Sequence, residues 1–507
     1  TASYVLVGTK KAIEETWGST CFSGNTLVIT NKGVLSIKEI FQKFRKGEEF
    51  LVPSVNENLE IEWCPVVDTM IRKAPVSRYL FSQTGRGKYG YIDCTDDHNF
   101  LFLENLEMTK KRIKEIADNK EMVCSITYLP GVEIKVQNSL FAYLTGVLLT
   151  DGSVYIDKRH GKITFVQKKQ QEKIEFIKFV QKVFYEVFNE DLREYRDKTS
   201  VGIIRGKTFT GVATDFVCTK KLPALKIKEI KENIIPWIIS SDEESLKYFL
   251  AGVIDGDGTY NSQRKIVNIF IGKKSLAEAV LVACLRLNIL PQISIQRNNC
   301  YIFDLSENLE EVLDKTKRVK AEIICRKYGR KLFAIRQLLK FKQNLKWPFN
   351  VKVQRNTMMD AEKIEKFLYQ FSDEEKTKLK RIIESNLRML RVKKEKELGI
   401  DDVYNLTVEK NHNYIVFTNT LIPIVVMNCH GAGRVSSRSA ILKSVRGEEL
   451  AHQLKEKGIL VKSDSWKTLA EEAPQAYKNV DEVVEICHQS GISKKVARLK
   501  PLGVIKG

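Results

Sequence analysis

The sequence predicts a multidomain α+β protein in which an all-β unit is split by a duplicated α/β unit and flanked by two shorter α+β pieces. Three observations predict it. From Cys21 to about residue 130 the chain runs in short β-rich segments punctuated by turns, a texture that returns at Val403-Tyr404-Asn405-Leu406-Thr407-Val408 and Tyr414-Ile415-Val416-Phe417. Between them, Leu144-Thr145-Gly146-Val147-Leu148-Leu149-Thr150-Asp151-Gly152 is echoed by Leu250-Ala251-Gly252-Val253-Ile254-Asp255-Gly256-Asp257-Gly258 at an offset of 106, and Ile163–Lys169 by Asn268–Lys274 at 105. Two matches at nearly one offset imply two copies of one fold. Residues 1–20 and 429–507 mix strand-like and helical patterns.

Taken in order, residues 1–20 hold an apolar strand-like run, Tyr4-Val5-Leu6-Val7-Gly8, and a polar helical stretch from Lys10 to Thr16. Alone they cannot bury a core and must belong to something else. Residues 21–130 carry strand-like segments at Thr26–Thr30, Val34–Ile37 and Leu51–Val55, the first two joined by the turn Asn31-Lys32-Gly33. Residues 131–340 hold the two repeats, each reading helix, strands, helix, with the later helices at Glu172–Phe188 and Ser275–Leu287. Residues 341–400 are rich in lysine and helix formers, above all from Asp373 to Lys396, with Phe341, Trp347 and Phe349 interleaved. They read as a basic helical linker or a DNA-contacting extension. Residues 401–428 resume the β texture, and residues 429–507 carry helical patterns at Gly447–Lys457 and Val480–His488.

A net charge of +20 over 507 residues favours polyanionic partners. The ten cysteines show no CxxC pair, which argues against a disulfide framework or a zinc site and for reduced thiols. No apolar run reaches membrane-spanning length, so no membrane partner and a cytoplasmic location are expected. Because the chain begins Thr1-Ala2-Ser3-Tyr4, it reads as a piece of a longer protein.

If the chain is cut before Cys21 and after Asn428 and the outer pieces are joined, the junction reads Trp17-Gly18-Ser19-Thr20-Cys429-His430-Gly431-Ala432-Gly433-Arg434. That junction resembles the histidine loop of the RtcB-type RNA ligases, and what lies between resembles an intein. Protein splicing needs a nucleophile at the upstream junction and a second just past the downstream one. Cysteine suits both, because thiolates attack carbonyls and make thioesters that exchange easily; Cys21 and Cys429 fill these places. It also needs a residue able to cleave its own following peptide bond, and the Asn428 side-chain amide can do so by closing a succinimide.

The resemblance extends inward. Cys94-Thr95-Asp96-Asp97-His98 resembles the block in which a TxxH pair contacts the upstream scissile bond. It implies that Thr95 holds the peptide and that His98 gives a proton to the departing nitrogen. Val403 to Tyr414 resembles the late block, whose histidine, here His412, assists asparagine cyclisation. Two residues depart from the family: Met427 stands where histidine is usual, and Asn405 where aspartate is usual. Hedgehog-type relatives of this Hint fold cleave without joining. Asn428 and Cys429, both needed for joining, favour splicing.

The duplicated nonapeptides resemble the LAGLIDADG motif of homing endonucleases. Small residues at Gly146 and Gly252 permit two helices to pack closely, bringing one acid from each to the interface. Alignment of the copies pairs Asp151 with Asp257, whereas Asp255 matches Leu149. Asp151 and Asp257 are therefore the expected catalytic acids and Mg²⁺ ligands. Double-stranded DNA is the expected substrate, with Lys168, Lys169, Lys273 and Lys274 as weaker candidate contacts. The competing reading is a degenerate endonuclease that serves only as a DNA-binding scaffold.

The RtcB resemblance implies a ligase that joins RNA 2′,3′-cyclic phosphate or 3′-phosphate ends to 5′-hydroxyl ends, as in tRNA halves, using GTP and Mn²⁺. His430 falls on the guanylylated histidine, and Gly431, Ala432 and Gly433 on the phosphate-holding loop. Ser3, Tyr477 and Lys506 fall on guanine-nucleotide contacts. The family's metal ligands would lie upstream of Thr1, so the rest of the ligase chain is an expected partner. The expected whole is a Hint-type splicing domain carrying a LAGLIDADG domain, flanked by two pieces of an RtcB ligase domain.

Overall fold

The computed structural model describes residues 3–7, 21–82, 89–204, 207–296, 298–323, 325, 327–328, 331–340 and 358–428; in the C-terminal piece it describes 445–463, 466–471, 473–474, 494–499, 503–506 and a few single positions.

The β texture resolves into two six-stranded sheets. One runs in the order Met122–Ile126, Leu387–Val408, Phe22–Ser23, Tyr89–Cys94, Ile61–Ser82, Leu51–Val55, with Leu387–Val408 also paired along Ile61–Ser82. The other runs Gly33–Ser36, Leu27–Thr30, Asn413–Phe417, Pro423–Met427, Asn99–Glu104, Glu107–Arg112. Phe22, Tyr79, Phe81 and Ile92 from the first sheet meet Val28, Phe100, Tyr414 and Val426 from the second in one buried cluster. Burial of that apolar surface holds the sheets face to face.

The unit is not purely β. The strand expected over Val34–Ile37 ends at Ser36, whose side chain accepts from the Glu39 amide while Glu39 reaches back to the Ser36 amide. This capping box starts the helix Ile37–Arg45. A second short helix spans Ile113–Asp118. Farther on, the helix expected from Asp373 to Lys396 is only Asp373–Glu384, capped by Ser372 and Glu375. The following residues form the strand Leu387–Val408 instead.

The repeats have one topology. Helix α1 (Ser139–Asp151) leads into a four-stranded sheet ordered Gly152–Ile156, Gly161–Gln167, Lys207–Cys218, Arg193–Ile204, with α2 (Gln171–Phe188) between its second and third strands in sequence. Helix α3 (Glu243–Asp257) leads into Gly258–Asn261, Ile266–Ile271, Tyr301–Leu305, Gln292–Ile295 in the same order, with α4 (Lys274–Arg286) in the equivalent place. The glycines set the α1–α3 distance: a Cβ on Gly252 would stand 2.1 Å from the Tyr143 carbonyl oxygen, and one on Gly146 2.3 Å from that of Phe249. No larger residue fits where backbones approach so closely.

Residues 331–339 fasten this body to the splicing sheets. The buried Gln337 amide donates to the carbonyls of Leu103 (2.9 Å) and Met122 (3.1 Å), and its oxygen accepts from the Met122 amide at 2.9 Å. One apolar core continues from Leu101, Leu103 and Ile126 through Leu276 and Val280 of α4 to Phe333 and Leu338. Outside the splicing unit, Ser3–Val7 pairs antiparallel with Lys494–Leu499, and Leu460–Ser463 pairs parallel with Gly503–Lys506. The stretch Lys10–Thr16 lies outside the described residues.

Candidate functional site

Sheet register brings the two ends of the insert together. Phe22 pairs with both Cys94 and Tyr404, which fixes the buried Cys21 against the start of the TxxH block. The Cys21 amide donates to Thr95 Oγ1 at 3.2 Å, and the Thr95 amide returns a bond to the Cys21 carbonyl at 3.0 Å. His98 is fully buried; its amide donates to the Thr95 carbonyl at 3.1 Å, and its ring centroid stands 4.0 Å from that of Phe22. Two residues on, Phe100 pairs with Val426, two residues before Asn428.

The downstream end is held by the late block. The Asn428 amide donates to the His412 carbonyl at 2.9 Å, and its Nδ2, the atom expected to attack in cyclisation, donates to the Val408 carbonyl at 3.3 Å. His412 sits at φ 54° and Lys410 at φ 64°. Such left-handed backbone costs about 1 kcal/mol or more per non-glycine residue and persists here because Asn413 bolts the turn down. The Asn413 Oδ1 accepts from the Val55 amide at 2.7 Å, and its Nδ2 donates to the Val55 carbonyl at 2.8 Å. Asn405, at the family's aspartate position, is buried with Oδ1 accepting from the Tyr414 hydroxyl and the Leu406 amide, both at 2.7 Å.

Sequence reasoning missed two basic groups here. Arg72 Nε donates to Cys21 Sγ at 3.4 Å, a bond that suits a thiolate acceptor. Lys394 donates to Asp96 at 2.8 Å, as does the Tyr79 hydroxyl. Burial pushes the Asp96 carboxyl up, but these bonds outweigh it and hold it below the usual range. Both bases lie far from the motifs they serve, and only the pairing of Leu387–Val408 with Ile61–Ser82 brings them in.

At the second site Asp151 and Asp257 end α1 and α3, where the helix dipoles present negative potential and favour a cation. Burial raises Asp257 to about 6, with the charge of Asp151 adding to the rise and Arg318 opposing it. Asp151 is likewise raised by burial, against the pull of Lys173 and Arg318. Asp151 accepts from Gln167 Nε2, and Lys173 on α2 donates to Gln167 Oε1 at 2.8 Å. Among the described residues no group of three His, Cys, Asp or Glu side chains is placed to hold a metal. The pair is of the kind Mg²⁺ uses together with water and phosphate.

Asp255, set apart by repeat alignment, is a fastener. Its fully buried carboxylate accepts from Tyr143 of α1 at 2.6 Å and from the amides of Lys317, Arg318 and Val319 at 2.6 to 3.0 Å. Arg318 in turn donates to the carbonyls of Ile254, Gly256 and Gly258. Sequence reasoning missed Gln167, Lys173 and Arg318 because none lies in the repeated nonapeptide. Of the four candidate lysines, Lys169 pairs with Glu194, and Lys274, the first residue of α4, pairs with Glu278 one turn along that helix.

Cys429, His430, Gly431, Ala432, Gly433 and Tyr477 lie outside the described residues. Ser3 opens the strand Ser3–Val7 and Lys506 ends Gly503–Lys506. None of the eight described cysteines is in a disulfide. No described helix is long and apolar enough to cross a membrane.

Comparison with known proteins gives two family matches: the intein splicing domain over residues 27–424 and the tRNA-splicing ligase RtcB over residues 409–507. They overlap at 409–424, where Asn413–Phe417 pairs with Leu27–Thr30 and Pro423–Met427, which places the overlap in the splicing unit. A probable phosphoenolpyruvate synthase of Methanocaldococcus jannaschii is 29% identical over 479 residues, 90% of this chain and 38% of that protein. The tRNA-splicing ligases RtcB of Methanocaldococcus jannaschii and Methanococcus maripaludis are 58% and 55% identical over 78 residues, 15% of this chain and 8% and 16% of theirs. The chain thus spans well under half the length of these relatives. Among solved structures, I-DmoI in complex with DNA and Mn is 18% identical with a TM-score of 0.25, covering 33% of this chain and 89% of that one. Full-length DUF199/WhiA from Thermatoga maritima is 12% identical with a TM-score of 0.24, covering 34% and 52%. With a splicing-domain match over most of its length and RtcB sequence at its C-terminal end, the chain belongs to the intein splicing-domain family, its intein interrupting an RtcB-type ligase.

Proposed function

We propose that the chain is a precursor that excises residues 21–428, joins Thr20 to Cys429, and releases an element that cuts double-stranded DNA. One observation carries the splicing reading: the Cys21 amide bonded to Thr95 beside His98, on sheets that also hold Asn428 against His412. Cys21 Sγ attacks the Thr20 carbonyl carbon; a C–S bond forms, the Thr20–Cys21 C–N bond breaks, and the departing nitrogen takes its proton from His98. The Cys429 thiolate then attacks the thioester and releases Cys21. Asn428 Nδ2 closes on its own carbonyl carbon and frees the Cys429 amine, with His412 assisting. That amine takes the acyl group from sulfur, leaving an ordinary peptide bond.

In the excised element Asp151 and Asp257 would hold a divalent cation, and any proton on their raised carboxyls would leave to water as it bound. Mg²⁺, when bound, supplies polarisation of the phosphodiester and an acidified water. Gln167 fixes the Asp151 carboxylate, and Arg318 steadies the end of α3 that carries Asp257.

The joined outer pieces form the C-terminal part of a GTP- and Mn²⁺-dependent RNA ligase acting on tRNA halves. His430 would accept the guanylyl group from GTP, an N–P bond forming as the α–β phosphoanhydride bond breaks and pyrophosphate leaves; Gly431, Ala432 and Gly433 would hold its phosphate, and Ser3, Tyr477 and Lys506 would contact the guanine nucleotide. The upstream part of that ligase is the necessary partner. Because Cys429 adjoins His430, the precursor is inactive as a ligase until excision.

The test is the intact mass of the expressed chain beside Cys21→Ala. A 99-residue product with Thr20 joined to Cys429 and a 408-residue excised species (residues 21–428) are expected from the parent only. Unjoined fragments alone would instead favour the cleaving, non-joining relatives.

A further inference from the structure

The outer pieces touch each other while the insert is still in place. Ser3–Val7 pairs antiparallel with Lys494–Leu499, opposing Ser3 to Leu499, Tyr4 to Arg498, Val5 to Ala497, Leu6 to Lys495 and Val7 to Lys494, with a bulge between Val5 and Leu6. The partners lie almost at opposite ends of the 507-residue chain, one in each outer piece. Splicing passes through a stage at which residues 1–20 are attached only by a thioester. Water competes with Cys429 for that acyl group, and every hydrolysed molecule is lost as fragments.

We propose that the pairing of Ser3–Val7 with Lys494–Leu499 is a non-covalent clasp that keeps residues 1–20 beside the Cys429 piece and so raises the fraction of molecules that join rather than cleave. This rests on the splicing reading above. A two-stranded ribbon is marginal as a free association in water. Within one chain it acts at an effective concentration in the millimolar range, so even weak pairing holds the donor near the acceptor. The four apolar residues Tyr4-Val5-Leu6-Val7 suit a strand that must find its partner before the ligase is whole. The intein and its sequence neighbours thus act together, and the same intein in a foreign host protein would lose the clasp.

Two measurements on the full chain separate the clasp from the splicing reading. N–H groups alternate between facing the partner and facing away, so the double variant Tyr4→Pro, Val5→Pro removes at least one cross-strand donor whichever phase holds. In the Cys21→Ala, Asn428→Ala background, hydrogen exchange reads the pairing with no splicing at all. Coupled protection of residues 3–7 and 494–499, lost together on adding the prolines, is expected. Unprotected amides in both strands would overturn the proposal even if splicing proceeds. In the splicing-competent chain, the prolines should raise the ratio of cleaved to spliced product roughly threefold or more, as an effective concentration falls. Capture of residues 1–20 by an added thiol should stay unchanged, because thioester formation does not use the clasp. An unchanged ratio overturns the proposal, whereas failure of thiol capture in the parent would sink the splicing reading instead and leave the exchange result to decide the clasp.

Discussion

At the scale of single residues, Asn405 is the instructive departure. Asparagine and aspartate are isosteric, and Asn405 Oδ1 accepts from the Tyr414 hydroxyl and from the Leu406 amide. An aspartate would keep both bonds, strengthen them as charge-assisted ones and restore a carboxylate to the late block. Asn405→Asp is expected to speed Asn428 cyclisation several-fold, read as C-terminal cleavage in a Cys21→Ala chain; an equal or slower rate would show that the missing charge does not limit the step. The proposed endonuclease acids give a second prediction, with its sign fixed by their environment. Burial lifts Asp257 to about 6 from an ordinary 3.8, so the folded protein holds a proton there that the unfolded chain has lost. Fold stability from this group is therefore gained as pH falls from about 6 toward 3.8, the reverse of a salt-bridged carboxylate. Activity runs the other way, since the protonated acid cannot hold Mg²⁺. DNA cleavage should decline about tenfold per pH unit below about 6, and the midpoint should move lower as Mg²⁺ is raised. A flat profile from pH 5 to 7, or one indifferent to Mg²⁺ concentration, would count against the pair.

At the scale of elements, the helix interface is the most constrained feature. A Cβ on Gly252 meets main-chain oxygen at 2.1 Å, and main chain cannot step aside as a flexible side chain can. Gly252→Ala must therefore push α1 and α3 apart, at about 1–3 kcal/mol for an overpacked contact, and carry Asp151 away from Asp257. Loss of DNA cleavage with a lowered melting temperature is expected; parental values for both would refute the close-packing argument. This interface was legible in the sequence because a repeat exposes itself by its offset, and small residues within it announce close approach. The strand Leu387–Val408 was not legible. Arg391, Lys393, Lys394, Lys396 and Glu397 are good helix formers, and what makes them a strand is pairing with Ile61–Ser82 more than three hundred residues away. Tertiary pairing overrides local propensity there. The same long-range register brings Lys394 to Asp96, so the motif residues could be named from the sequence while the groups that hold them could not.

At the scale of the molecule, the question is whether the duplicated body can be lifted out of the splicing unit. Sequence nesting suggests a detachable insert, yet the apolar core is continuous across the boundary. The Leu129 amide donates to the Leu285 carbonyl at 3.1 Å, and those of Asn105 and Leu106 donate to the carbonyls of Gln337 and Leu338. Cutting at these contacts exposes apolar surface at about 25 cal/mol per Å² and leaves sheet-edge groups such as the Met122 amide without partners, at roughly 1–3 kcal/mol each when buried. The segment that supplies most of these partners is not the repeat but residues 331–339, which precede Met358–Asp360 and pair with it through Leu332–Ala334. Two deletions should therefore differ. Replacing residues 131–386 by a short linker removes Gln337 and should leave an insoluble or poorly splicing chain, whereas replacing only 134–329 keeps the fastener and should splice at a rate nearer the parent. Gln337→Leu in the intact chain offers the finer reading: it fills the same space without the three bonds to Leu103 and Met122 and should lower stability by about 2–4 kcal/mol while leaving the acids of α1 and α3 in place. Equal splicing by the two deleted chains, together with an unchanged melting temperature for Gln337→Leu, would mean that the splicing unit stands alone and the shared core is incidental. The opposite result would make the fastening segment within residues 331–386, and not the repeats, a structural part of the unit that excises them.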